Sequence, residues 1–331
     1  MDATHDAWAG PTVGDLGELV VLDRIVRRLP SGSPILGPGD DCAVVAAPDG
    51  RVVVTTDMMV HGPDFRWAWS SPEDVGWKAA ATNLSDVAAM GAVPTGLLIA
   101  LAAPQDTPVA VLESFADGVG LAVDALAPGC GVVGGDLSTS GTFTVSVTAF
   151  GDLEGRSPVV RSGARVGDVL AVSGELGPAA RGLSRLFRDG VDEQGEPSHR
   201  ATVASGADAD PDVLRQRRPV PPIADGPLAA GAGATAMLDL SDGLAIDAGR
   251  LARASRVTLE LDESAPLDEV ALHGGEDHGL LATFPAEAAL PGGFRRIGTV
   301  RARADVDLVR GGVPVPTTGW DPYADWDGAA G

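Results

Sequence analysis

Lysine is nearly absent from this sequence. Of the 24 lysine and arginine residues in a chain of 331, Lys78 is the one lysine. A P-loop requires the pattern G-x-x-x-x-G-K-[ST], and the residues that precede Lys78 read PEDVGW. Protein kinases carry their nucleotide-binding lysine on a strand, whereas Lys78 lies in a pattern typical of a helix. The sequence therefore excludes a P-loop protein and argues against a protein-kinase fold.

Basic charge is scarce compared with acidic charge. The 46 aspartates and glutamates outnumber the 24 basic residues, which gives a net charge of −22. A nucleic-acid-binding protein needs a basic face that displaces counterions from phosphates, and a protein that docks on anionic lipid also needs positive charge. The composition argues against both partners. The apolar share of 44 % is large enough for a folded chain with a sizeable core.

Cysteine is rare, and no targeting or membrane segment is evident. Cys42 and Cys130 have neither the number needed for a disulfide framework nor the spacing of a zinc site, so we expect two buried thiols. Residues 1–6 lack the basic and apolar regions of a signal peptide. Residues 87–105 are uncharged over a membrane-like length, but glycine and proline interrupt them, which predicts a helix end, a turn and a buried strand. We therefore expect a cytoplasmic protein with no membrane partner.

Helix and strand patterns alternate along the chain. Ser71 and Pro72 have the residue types that begin a helix, acids follow in the first turn, and the helical pattern runs to about Met90. Short β patterns before and after it alternate with further helical patterns. This alternation predicts an α/β or α+β fold.

The length of the chain favours two domains. We place the boundary between Asp152 and Pro158, which gives an N-terminal domain over 1–155 and a C-terminal α/β domain over 156–331. Residues 189–212 are acidic and nearly free of large apolar residues. We interpret this segment as a mobile surface insertion.

Several acidic residues lie beside glycine, serine or threonine, mostly at the ends of strand patterns. The five motifs are Gly39-Asp40-Asp41, Thr55-Thr56-Asp57, Asp86 with Asn83 and Ser85 nearby, Gly134-Gly135-Asp136, and Asp239-Leu240-Ser241-Asp242-Gly243. Ligands of α/β proteins bind at strand ends, and carboxylates with hydroxyls suit hard cations such as Mg²⁺. Several aspartates at one point would repel one another unless a cation lay among them. Each motif alone is equally well explained by a turn or a helix cap, and an acidic surface is the alternative for the whole set.

Taken together and in this order, the motifs resemble those of the thiamine-monophosphate kinases, in the superfamily that includes aminoimidazole ribonucleotide synthetase. Further matching stretches are KAAATNLSDVAAMGA at 78–92, RSGA at 161–164 and GGED at 274–277. The resemblance covers nearly the whole chain apart from 189–212. It implies a two-domain aminoimidazole ribonucleotide synthetase-like fold, with the N-terminal domains pairing their sheets in a homodimer.

The resemblance also implies a reaction. The family transfers the γ-phosphoryl group of ATP to thiamine phosphate with the help of several Mg²⁺ ions, giving thiamine diphosphate. The acceptor is a phosphate oxygen that is already anionic near neutral pH. The chemistry therefore needs cations that hold two anions in line, rather than a general base.

Site residues follow from the resemblance motif by motif. The implied metal-binding residues are Asp41, Thr55, Thr56, Asp57, Asp86, Asp136, Asp239 and Asp242, of which Asp57, Asp86 and Asp136 are also the implied catalytic residues. The implied ATP contacts are Gly135, Asp136, Arg161 and Ser241. The implied contacts to thiamine phosphate are Asp64, Glu276 and Trp320.

Three departures from the family pattern concern the substrate. Asp64 precedes Phe65 where the family usually has a histidine, His278 and Gly279 follow the GGED motif in place of a tyrosine and a glutamate, and the segment 262–274 is shorter than usual. Two alternatives stay open. One is another ATP-dependent enzyme of the superfamily with a different substrate, and the other is a non-catalytic relative that binds nucleotide or metal.

Overall fold

The computed structural model describes residues 10–35 and 45–319. Within these residues the chain forms a mixed α/β fold with two sheets, which confirms the predicted fold class. The helices are α1 (Val13–Leu16), α2 (Glu18–Val26), α3 (Pro72–Ala89), α4 (Val109–Leu126), α5 (Pro178–Asp189), α6 (His199–Ala204), α7 (Pro211–Arg217), α8 (Asp225–Gly231), α9 (Leu244–Ser255) and α10 (Glu269–His273). The strands are β1 (Val53–Val60), β2 (Val93–Ala103), β3 (Val132–Thr139), β4 (Thr144–Asp152), β5 (Val169–Ser173), β6 (Ala236–Leu240), β7 (Val257–Leu261), β8 (Gly279–Phe284), β9 (Arg295–Ala302), β10 (Leu308–Arg310) and β11 (Val313–Pro314).

The first sheet has the order β1-β4-β2-β3 and is covered by helices on one face. The pairs β1–β4 and β4–β2 are antiparallel, and β2–β3 is parallel. Successive side chains of a strand point to opposite faces. Val145, Val147 and Ala149 of β4 are accordingly buried against the core that α3 and α4 complete, while Val54 and Met58 of β1 point away from it and are 58 % and 62 % exposed.

The second sheet has the order β11-β10-β7-β9-β5-β8-β6. Its core includes Leu238, Leu240 and Leu259 from the strands and Leu251 from α9. Strand β6 lies at one edge and pairs with β8 in antiparallel fashion. The functional motif that follows β6 therefore lies at the end of an edge strand.

Helix α3 connects the two sheets. Ser71 forms a capping box with Asp74, Pro72 occupies the first turn, and the helix ends before Gly91 in a left-handed conformation. The helix contacts β1 and β4 of the first sheet and β6 and β8 of the second. A Cβ atom on Gly76 would lie 2.0 Å from the carbonyl oxygen of Phe115, so this glycine permits the close packing of α3 on α4.

Two predictions from local sequence are confirmed. The uncharged stretch 87–105 divides into the end of α3, a turn and the strand β2, and in the described part of the chain no helix is long and apolar enough to span a bilayer. Cys130 is a buried free thiol, and burial raises its pKa to about 12. Cys42 lies outside the described residues.

The interpretation of residues 189–212 as a mobile surface insertion stays a prediction, although much of the segment is helical. The segment contains α6, a 3-10 turn at Ala207–Ala209 and the start of α7. Thr202, Ala207 and Val213 are fully buried although they are small, and Val213 packs with Leu186 of α5. Few apolar groups are needed here, because α5 supplies the surface on which this helical segment packs.

Candidate active site

Three of the predicted aspartates converge where β1, α3 and β6 meet. The alternation of β1 places Thr55 and Asp57 on the face toward α3. The Thr55 hydroxyl donates to Oδ2 of Asp86 at 2.9 Å, and the backbone N–H of Asp57 donates to Oδ1 of Asn83 at 3.2 Å. Asn83 and Asp86 are nearly one turn apart on α3, so one helix face orients two residues of the strand.

Strand β6 brings the third carboxylate from the second sheet. Asp239 is 6 % exposed, and its Oδ2 lies 3.4 Å from Nδ1 of His278. The carbonyl oxygen of His278 accepts a hydrogen bond from the Ser85 hydroxyl at 3.3 Å. The loop after GGED therefore joins β6 to α3, and we refer to Asp57, Asp86 and Asp239 as the aspartate cluster.

Negative charge in the aspartate cluster is poorly balanced. Burial and the charges of Asp239 and Asp57 together raise the pKa of Asp86 to about 7, against the weaker opposing effects of the Thr55 hydrogen bond and the charge of His278. Burial also raises the pKa of Asp57, with His278 opposing and Asp239 and Asp242 adding to the rise. Burial alone would lower the pKa of His278, but the hydrogen bond to Asp239 and the charges of Asp239 and Glu276 together outweigh it, so the pKa is raised.

The donor set fits a hard divalent cation. Carboxylate and hydroxyl oxygens are the ligands that Mg²⁺ prefers, and a cation between repelling carboxylates would lower their pKa values. Among residues 10–35 and 45–319, no three His, Cys, Asp or Glu side chains already stand in the arrangement of a metal site. The cluster therefore supplies suitable ligands without a preformed cage.

Two other predicted metal ligands are engaged differently. Thr56 points to the opposite face of β1, where its hydroxyl donates to the carbonyl of Val147 at 3.0 Å. Arg250 of α9 donates at 2.6 Å to Asp242 and at 2.6 Å to Asp247. Asp242 is thus balanced by a guanidinium group that sequence reasoning missed.

A small pocket adjoins the aspartate cluster. Its volume is about 130 Å³, and Asp57, Asp64, Lys78, Thr82, Glu276 and His278 line it together with two methionines. Lys78 forms an ion pair with Glu276, and Oδ2 of Asp64 accepts from the backbone N–H of Val60 at 2.7 Å. The structure therefore brings two predicted substrate residues, Asp64 and Glu276, beside a lysine that we did not assign to the site.

The loop that carries Glu276 has an unusual backbone. Glu276 and His278 have φ values of 72° and 53°, in a region that non-glycine residues rarely adopt. The N–H of Glu276 donates to the carbonyl of Ser241 at 2.7 Å, which places Ser241 against this loop. Asp277 accepts from the N–H groups of Gly177 and Ala179, so it holds the start of α5. Strain of this kind is typical of functional sites.

Asp136 does not join the aspartate cluster within one chain. It lies on β3, paired with Ala100 of β2, and it is exposed on the face of the first sheet that points away from α3. Strands β1 and β3 are the two edges of this sheet, about 14 Å apart for three inter-strand steps. Gly135 has a packing reason to be glycine, since a Cβ there would lie 2.1 Å from the carbonyl oxygen of Ile99.

Of the remaining predicted residues, the structure describes Arg161 but not Asp41 or Trp320. Arg161 is exposed and lies beside β6, where the neighbouring carbonyl of Val160 accepts from the N–H of Met237 at 3.3 Å. Asp41 and Trp320 lie outside the described residues, so their predicted roles stay predictions.

The sequence is similar to that of characterised proteins. The family described as AIR synthase related protein, N-terminal domain, matches residues 39–153. The thiamine-monophosphate kinase of Mycobacterium tuberculosis is 41 % identical over 339 aligned positions, covering 97 % of this chain and 96 % of the relative. This chain belongs to the thiamine-monophosphate kinase family.

Solved structures of the thiamine-monophosphate kinase family share the fold. The Aquifex aeolicus thiamine monophosphate kinase is 34 % identical with a TM-score of 0.68, covering 82 % of this chain and 91 % of the other. AaThiL complexed with AMPPCP and TMP is 31 % identical with a TM-score of 0.69, covering 94 % and 98 %. Hydrogenase maturation protein HypE, at 20 % identity and a TM-score of 0.66, shares the fold alone.

Proposed function

We propose that this protein transfers the γ-phosphoryl group of ATP directly to the phosphate of thiamine phosphate, forming thiamine diphosphate and ADP. The observation that carries the proposal is the aspartate cluster, in which burial and mutual repulsion raise the pKa of Asp86 to about 7. Family membership supports the substrates, because AaThiL binds AMPPCP and TMP, which we interpret as an ATP analogue and thiamine phosphate.

The chain's own residues would hold and orient the reacting groups. Thr55, Asp57, Asp86 and Asp239 would bind Mg²⁺, which supplies the positive charge that brings two phosphates together. Asn83 fixes the backbone of Asp57, and the Thr55 hydroxyl fixes the carboxylate of Asp86. No side chain has to remove a proton, because the acceptor oxygen is already anionic.

Asp136 would complete this site from a second subunit. Within one chain it lies on the far edge and opposite face of the first sheet from Asp57. The same face carries the exposed apolar side chains of Val54 and Met58, which favours pairing of this sheet with a second copy. We therefore propose a homodimer in which ATP contacts at Gly135 and Asp136 belong to the partner's site. The boundary at 155/156 and the cytoplasmic location remain predictions from sequence.

The direct test is product formation. Purified protein incubated with MgATP and thiamine phosphate should release thiamine diphosphate and ADP in equal amounts. ATP hydrolysis without thiamine diphosphate would support another enzyme of the superfamily. ATP binding without turnover of either compound would support a non-catalytic relative.

Mixed dimers test the contribution of Asp136 across the interface. Asp136→Asn and Asp57→Asn should each abolish turnover while the thermal unfolding temperature stays near that of wild type. When the two variants are co-refolded in equal amounts, activity should return. Half of the dimers then contain one subunit of each variant, and one of their two sites combines the unchanged Asp57 of one subunit with the unchanged Asp136 of the other. No recovery in verified mixed dimers would mean that Asp136 and Asp57 act from the same chain.

A further inference from the structure

The proposed reaction assigns no role to Lys78, whose cationic side chain is buried. It is the one lysine of the chain, and its side chain is 5 % exposed. Burying an ammonium group is unfavourable unless it is paired, and its partner Glu276 is itself 40 % exposed. A carboxylate this accessible to water can exchange its partner more readily than a buried one.

The position of Lys78 on α3 relates it to the aspartate cluster. Lys78, Thr82 and Asp86 recur at every fourth residue, so they lie along one face of the helix, about 12 Å from first to last. Asp57 is near both ends, since it lines the pocket with Lys78 and its charge acts on Asp86. A ligand anion at Lys78 would therefore lie beside Asp57, one of the predicted metal ligands.

Charged groups of both signs line the pocket. Asp57, Asp64 and Glu276 are acidic, and His278 and Lys78 are the basic groups that line it. An anion that enters the pocket would avoid the carboxylates and approach the ammonium group of Lys78, which can donate three hydrogen bonds to phosphate oxygens. A cationic group on the same ligand would instead approach Glu276 or Asp64.

Thiamine phosphate has this distribution of charge, with a phosphate at one end and a permanently cationic thiazolium ring a short chain away. We propose that Lys78 recognises the phosphate of thiamine phosphate, and that Glu276 exchanges its ion pair with Lys78 for the cationic part of the substrate. This inference rests on the proposed function and adds a phosphate-specificity residue to it. The left-handed backbone at Glu276 presents its carboxylate over Lys78 from a loop anchored to Ser241.

Binding of thiamine phosphate and of thiamine, measured by calorimetry at one Mg²⁺ concentration, tests the proposal. Thiamine lacks only the phosphate. Lys78→Met should weaken thiamine phosphate binding about 10- to 100-fold, while thiamine binding changes less than about threefold. Lys78→Arg keeps the charge and should restore part of the preference. Glu276→Gln should weaken both ligands without reducing the ratio of their affinities.

A matched control separates this role from a structural one. Arg218 forms an ion pair with Glu73 and Asp74 in the first turn of the same helix, so Arg218→Met also removes a cation that joins α3 to a distant segment. It should leave the ratio of the two affinities unchanged. If Lys78→Met weakens the binding of thiamine phosphate and of thiamine equally, Lys78 has a structural role and the proposal is overturned. An unchanged preference for thiamine phosphate over thiamine would also overturn it.

The outcome is distinguishable from failure of the proposed function. If wild-type protein binds thiamine phosphate but forms no thiamine diphosphate, the reaction is wrong and the role of Lys78 in phosphate recognition can still be correct. If wild-type protein forms thiamine diphosphate and Lys78→Met keeps the wild-type preference for thiamine phosphate over thiamine, the function stands and the inference about Lys78 fails.

Discussion

Two groups of carboxylates lie close together near the end of β6, and they differ in how their charge is balanced. In the aspartate cluster, Asp86 has a pKa of about 7 because burial and two neighbouring carboxylates oppose its ionisation. In the second group, Arg250 bridges Asp242 and Asp247 at 2.6 Å each. The difference indicates that the first group is built to receive a cation, whereas the second already contains one.

Substitution within the aspartate cluster should have the largest effect. Asp86→Asn removes a predicted metal ligand. We therefore expect thiamine diphosphate formation to fall about 1,000-fold, which corresponds to about 4 kcal/mol of transition-state stabilisation. The measurement is a steady-state assay at saturating MgATP. Arg250→Met serves as the control from the second group, and an equal loss in both variants would erase the contrast between them.

The same substitution should stabilise the fold when no divalent cation is present. The folded pKa of Asp86, about 7, lies above the ordinary aspartate value of 3.8, so ionisation of Asp86 destabilises the protein progressively as pH rises from about 4 to about 7. Asp86→Asn should raise the free energy of unfolding at pH 8 by roughly 2–4 kcal/mol. At pH 4 the gain should vanish. Urea denaturation in EDTA at the two pH values measures this, and a pH-independent gain would contradict the raised pKa.

In the second group the sign should be opposite. Arg250→Met leaves two acids without their cation, one of them the buried Asp247, whose pKa burial raises to about 6 despite Arg250. We expect the free energy of unfolding to fall by roughly 2 kcal/mol, which is less than for a fully buried pair because the Arg250 side chain is 36 % exposed. Stabilisation by Arg250→Met in urea denaturation would mean that the cost of burying Arg250 exceeds its attraction to the two carboxylates, and it would contradict the view that Arg250 balances this group.

A surface ion pair gives the smallest effect and sets the baseline. Arg296 and Asp262 are 2.9 Å apart, with side chains 50 % and 33 % exposed. Arg296→Gln should change the free energy of unfolding by less than about 0.5 kcal/mol. A larger loss would show that ion pairs in this acidic chain are worth more than usual, and the value expected for Arg250→Met would then have to be raised.

Local features of the fold could be predicted from the sequence, and contacts between distant segments could not. The start of α3 could be predicted from Ser71 and Pro72 because helix capping depends on neighbours in the chain. The alternation of side chains along β1 could also have separated Thr55 from Thr56, since adjacent residues of a strand point to opposite faces.

The pairing of charges depends on which segments meet in space. Nothing local predicts that Arg250 binds Asp242 or that Lys78 binds Glu276, and the burial of Thr202 depends on the helix α5 beside it. The aspartate cluster was predicted as a set of motifs, but its separation from Asp136 follows only from the strand order of the first sheet.

Thermal unfolding at pH 8 with and without Mg²⁺ and AMPPCP tests most directly whether the aspartate cluster receives cations. Together the two ligands should raise the unfolding temperature of wild-type protein and of Arg250→Met, because cations relieve the repulsion around Asp86. They should leave Asp86→Asn nearly unchanged. The same rise in Asp86→Asn as in wild type would contradict the assignment of this cluster as the cation site.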